Sequence, residues 1–327
     1  MRIKLVTFLF LVGFLASIFP ASSSAVTKDP VIQKITARIK EIPIRTSKVT
    51  VDPIEWILSP KVSANYKSAL ISQNQALAHQ FPTLFKWKGI ALVLIGDPFT
   101  WTPPEGTLSK NCNRIYSQIT GMWKKLPNLK GRLLAGQSYC DDHVVVIIRP
   151  DPSNPIPDED LMAQEFGMQI QENARYLNPA IANLEHGQLS IPDWYLQGAQ
   201  SVIAFQVYVG ERRTLSGAPN KVFITPECLT IQLQKLEKMT EGTPSNCVYT
   251  KGFASVQLMI ALYGWEATTK WFSGFADPSD YQSAFKEAYG DSLATFNKLA
   301  DSYWKSLVNK KYVAKDVAAR LKNQYSE

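Results

Sequence analysis

The spacing of apolar positions changes from one stretch of the chain to the next, and each change predicts an element. Positions 5–19 form an almost unbroken apolar run. Between 61 and 80 the apolar residues Tyr66, Leu70 and Leu77 recur at helical intervals. The run Ile90-Ala91-Leu92-Val93-Leu94-Ile95, bounded by Gly89 and Gly96, is short and apolar throughout and predicts a buried strand. Prolines at 98, 103 and 104 make 97–110 a loop, and 113–124 returns to a helical pattern. Val144-Val145-Val146-Ile147-Ile148 predicts a second buried strand, closed by Pro150.

Prolines at 152, 155 and 157 place a loop before the next helix, with Asp158 as its N-cap. That helix runs to Tyr176 with the stripe Met162, Phe166, Ile170, Ala174 and Leu177. Another helix begins at Asp193 and continues through Val207. The stretch 210–248 is polar and punctuated by Pro and Gly. Three further helical stripes follow: Phe253/Val256/Ile260/Tyr263, Tyr281/Phe285/Ala288/Tyr289, and Leu293/Phe296/Leu299/Tyr303/Leu307. Strands and a helix come first and helices afterwards, which predicts an α+β fold with a small sheet followed by a mostly helical lobe. The expected segments are 1–25, a signal peptide; 26–57, an N-terminal extension with a short strand at 49–51; 58–185, the α+β lobe; and 186–327, the helical lobe. A ligand site is expected in a cleft between the lobes.

Composition sharpens this picture in three places. Hydrophobic residues make up 45% of the chain and aromatics 11%, enough for a sizeable core. Arg2 and Lys4 precede the run at 5–19, and Ala21-Ser22-Ser23-Ser24-Ala25 supplies small residues for cleavage after Ala25. The run is short of the roughly 20 residues of a membrane span, and no later stretch reaches that length. The mature chain is therefore expected to be soluble, without a membrane span, and secreted or associated with the cell wall. Cys112, Cys140, Cys228 and Cys247 allow three pairings. Cys112–Cys140 and Cys228–Cys247 are favoured because each joins sequence neighbours. The net charge of +7 is spread along the chain. It suits an anionic surface polymer, and with no basic cluster interleaved with aromatics it gives no sign of nucleic-acid binding.

Candidate chemistry centres on the helix ending at Tyr176. Gln164 and Met168 are four residues apart on the side opposite the apolar stripe, with Glu165 between them. After a loop comes Pro192-Asp193-Trp194-Tyr195-Leu196-Gln197-Gly198-Ala199. This layout resembles the gluzincin branch of the zinc metallopeptidases, the MA-type zincins. In that family His-Glu-x-x-His supplies two zinc ligands and a general base, and a later Glu is the third ligand. Gln164-Glu165-Phe166-Gly167-Met168 stands in the first position and Gln197 in the last. Tyr249-Thr250-Lys251-Gly252, Tyr263-Gly264 and Ala288-Tyr289-Gly290-Asp291 extend the likeness downstream.

All three ligand positions differ from the family: Gln164 and Met168 replace His, and Gln197 replaces Glu. Amide oxygens are weak zinc donors and a thioether suits softer metals, so no cofactor and no zinc are expected. Glu165 keeps the position of the general base without a metal-bound water to act on. The resemblance thus implies a pseudopeptidase with a binding or scaffolding role, its cleft lined by Gln164, Met168, Gln197 and Tyr249, and its partner a peptide or cell-surface polymer. The alternative is a hydrolase working without classical zinc, with Glu165 as acid or base, paired with Glu172 or Asp193 as in glycosidases. Asp141-Asp142-His143 is read as a turn. His79 and His186 are read as surface histidines. No Gly-x-Ser-x-Gly occurs.

Overall fold

The computed structural model describes residues 30–42, 54–84, 90–125, 134–141, 143–150, 161–184, 189–212, 226–238 and 245–308, together with 317, 320 and 321. The expected signal segment, the strand expected at 49–51, Asp158 and His186 lie outside these residues. The architecture is α+β. The described residues hold eight α-helices and one four-stranded mixed sheet. Contacts divide the chain into two units, Lys48–Glu165 in one and Phe166–Glu327 with Pro20–Ser47 in the other. The boundary falls inside the helix Leu161–Tyr176.

In the first unit, β1 (Ile54–Leu58), β2 (Ile90–Ile95), β3 (Leu134–Cys140) and β4 (His143–Arg149) lie in the order β1-β2-β4-β3. β1, β2 and β4 are mutually parallel, and β3 is antiparallel to β4 at the edge. β2 and β4 are covered on both faces, which is why they read as continuous apolar runs rather than alternating ones. Leu92, Leu94, Val145 and Ile147 share a buried cluster with Ile115, Tyr116, Ile119 and Trp123 of the helix Lys110–Lys124. Ala91, Val93, Val144, Val146 and Ile148 point to the other face and are also buried.

Helices α2 (Ala64–Gln80) and α3 (Lys110–Lys124) each start on a serine, counting α1 as Pro30–Arg38. Ser63 Oγ accepts from the Tyr66 amide at 3.2 Å and Ser109 Oγ from the Cys112 amide at 3.1 Å, satisfying first-turn donors. The chain leaves β2 through Gly96, where a Cβ would lie 2.1 Å from the Trp101 ring. Only glycine lets that indole close over the strand end. The β3–β4 hairpin turns at Asp141, whose φ is +51°. Its carboxylate accepts from Ser109 Oγ (2.6 Å) and Asn111 Nδ2 (3.1 Å). These bonds hold it below the usual carboxylate range. The expected turn is therefore present and is tied to the start of α3, where the Cys112–Cys140 disulfide also forms.

Sequence pattern missed β1 and β3. β1 reads Ile-Glu-Trp-Ile-Leu directly after a proline and was absorbed into the extension. β3 carries Gly136, Gln137 and Ser138 in its middle, a composition with no strand signal; pairing with β4 makes it a strand.

The second unit contains α4 (Leu161–Tyr176, from Phe166 onward), α5 (Asp193–Arg212), α6 (Ser245–Tyr263), α7 (Tyr281–Tyr289) and α8 (Leu293–Val308), with α1 docked on it. Part of the stretch read as an extension is thus α1. Arg38 donates to the carbonyls of Ala261 and Leu262 at the end of α6, and its own carbonyl accepts from Trp265 Nε1 at 2.9 Å. α5 and α6 cross at Gly198 and Gly252. A Cβ on Gly198 would lie 2.3 Å from the Gly252 carbonyl carbon, and one on Gly252 would lie 2.2 Å from the Trp194 carbonyl oxygen.

Around this crossing Trp194, Tyr195, Trp271, Phe285, Tyr289 and Phe296 form a buried aromatic cluster, with the Tyr195 and Trp271 rings 4.7 Å apart. The Tyr195 and Tyr289 hydroxyls both donate to the Ala267 carbonyl, at 3.0 and 2.9 Å. The segment 226–238 is tied down at several points. Cys228 is joined to Cys247, Lys251 Nζ donates to the Ile231 carbonyl and to Asp301 (2.7 Å), and Asp301 accepts from the Leu233 amide. Both expected disulfides are present.

Candidate functional site

The residues singled out from sequence lie on α4, α5 and α6. α4 carries the expected apolar stripe only in part: Phe166, Ile170 and Ala174 are buried, but Leu177, just past its end, is 71% exposed. The opposite side is not open. Glu165, Met168, Gln169, Gln171, Glu172 and Arg175 are all buried as well. A helix enclosed all round shows no clean amphipathic period, so the stripe was only one of its buried sides.

Polar side chains on α4 can be buried because most of them are paired. Glu172 accepts from Arg175 Nη2 at 2.6 Å, and Arg175 Nη1 donates to the carbonyls of Ile181, Ala182 and Leu184 after the helix end. Gln169 Nε2 donates to Asn173 Oδ1 at 3.1 Å. Gln171 Nε2 donates to the Leu196 carbonyl and Gln171 Oε1 accepts from Gln200 Nε2, both at 3.4 Å. Gly167 completes this contact between α4 and α5, since a Cβ there would lie 3.2 Å from Gln200 Cα. The contact therefore runs through residues adjacent in sequence to Met168 and Gln197. Nothing in the amphipathic pattern signals Gln171, Gln200 or the Glu172–Arg175 pair. The one available signal was the glycine within Gln164-Glu165-Phe166-Gly167-Met168, a small residue where a backbone approaches.

Gln164 lies at the start of α4. Glu165 is 4% exposed, and its Oε2 has no hydrogen-bond partner. Burial pushes its carboxyl up to about 8, so at neutral pH it is mostly a protonated acid. Gln197 on α5 is buried, and its Oε1 is likewise without a partner. Tyr249 is half-buried in α6, three residues before Gly252 of the α5–α6 crossing.

The downstream Tyr-Gly and Tyr-Gly-Asp elements meet each other. The Tyr263 hydroxyl donates to Asp291 Oδ2 at 2.7 Å, the Tyr263 and Tyr289 rings are 4.9 Å apart, and Arg320 also binds Asp291. Gly264 and Gly290, with φ of +92° and +78°, end α6 and α7. Asp193 is the first residue of α5, and its amide donates to the Glu237 carbonyl. Glu165 and Glu172 stand about 10 Å apart along one helix axis, and Glu172 is engaged by Arg175. His79 lies in the last turn of α2, and His143 opens β4.

Gln164, Met168 and Gln197 offer two amides and a thioether, neither imidazole nor carboxylate. Among the described residues no group of three His, Cys, Asp or Glu is placed to hold a metal ion. The two disulfides fit folding in an oxidising compartment, and no described helix is long and apolar enough to cross a membrane. The sequence matches no protein-family model and no curated protein.

Proposed function

We propose that this protein is an exported, non-catalytic relative of the gluzincin peptidases that binds rather than cleaves. The observation that carries this reading is the α4–α5 contact through Gly167, Gln171 and Gln200. It joins the helices bearing positions 164, 168 and 197, as a gluzincin-type ligand set requires, while the side chains there are unsuited to zinc. Burial of Glu165 supports the same reading, because a protonated carboxyl does not act as a general base.

The ligand class favoured is an extended peptide, with a cell-surface polymer as the alternative. β3 ends the sheet at an edge, and an edge strand offers its backbone groups to an added strand. The rival function is a hydrolase without classical zinc. A carboxyl pushed up to about 8 is what favours it, because such a group is placed to donate a proton near neutral pH.

A random peptide library incubated with the mature, oxidised chain separates the two. Retention of uncut peptides, equal for wild type and Glu165→Gln, is expected. Cleavage by wild type that Glu165→Gln abolishes would establish the hydrolase. Neither retention nor cleavage would remove the peptide from both readings.

A further inference from the structure

We draw no further inference here: the strongest candidate, the unpartnered Trp304 Nε1 and Asn297 Oδ1 on the helix that carries Asp301 of the buried Lys251–Asp301 pair, carries nothing because nothing in the structure shows a ligand that these atoms would face.

Discussion

The helical unit buries more polar side chains than the sheet unit does. In the sheet unit the two central strands are apolar on both faces, and the fewer polar side chains buried there lie on the helices (Gln73, Asn74, Thr120), on the edge strand β3 (Gln137) and at the end of β4 (Arg149). In the helical unit polar groups run through the interior: Glu172–Arg175, Gln171–Gln200, and Lys251 (2% exposed) with Asp301. Helices packed face to face at glycines bring backbones close and bury whatever lies beside the crossing. Polar residues there persist by pairing, and those left unpaired, such as Gln197 Oε1 and both amide atoms of Gln257, mark where pairing is incomplete.

Substitutions test this contrast directly. The largest effect is expected from Gly198→Ala, which places a methyl against the Gly252 backbone and has no flexible side chain to displace. A loss of about 3 kcal/mol in urea-induced unfolding is expected, and a loss below about 1 kcal/mol would mean the α5–α6 crossing is looser than described.

Glu165→Gln is expected to show an effect of similar size that depends on pH. Its folded-state value is raised to about 8 from the ordinary 4.5. The protonated form favours folding, so the wild type is most stable below about 4.5 and loses stability as pH rises towards 8. Glutamine cannot ionise, so the variant should gain on wild type across that window, by on the order of 3 kcal/mol at pH 7 relative to pH 4.5. Parallel melting curves at pH 5 and pH 8 read the difference; a gap that stays constant would contradict the buried, unpartnered position of Glu165.

Smaller effects are expected in the sheet unit. Ser109→Ala removes the cap of α3 and should cost about 1 kcal/mol in chemical denaturation. Gly121→Ala lies mid-helix in α3, where an added Cβ meets nothing within 4 Å. It should stabilise by about 0.5–1 kcal/mol, read as a small rise in Tm. Opposite signs for the same chemical change at 121 and 198 would show that glycine is needed for close backbone approach at the α5–α6 crossing and not in α3.

The same contrast explains what the sequence made legible. β2 and β4 are among the plainest elements to read, because an apolar run of that length between turn signals has few alternatives. α2, α7 and α8 follow from spacing and caps, and Gly290 marks the end of α7. β3 escapes because its strand character comes from β4 rather than from its own Leu-Ala-Gly-Gln-Ser-Tyr-Cys. α1 was legible from Val31, Ile35 and Ile39, which recur every four residues and are buried, whereas the bonds of Arg38 to the end of α6 were not. At the candidate site, the burial of Glu165, Met168 and Gln197 was not legible in the sequence. Enclosure on all sides depends on tertiary packing, which leaves no period to read.

The proposed reading requires that Gln164, Met168 and Gln197 hold no zinc. Elemental analysis of the purified mature chain, equilibrated with zinc and then dialysed exhaustively, tests it most directly. The account predicts less than roughly a tenth of an equivalent of zinc per chain, as expected for an amide–thioether donor set. Retention of about one equivalent would contradict it: other side chains would then supply the ligands, and zinc-dependent hydrolysis would become the leading function.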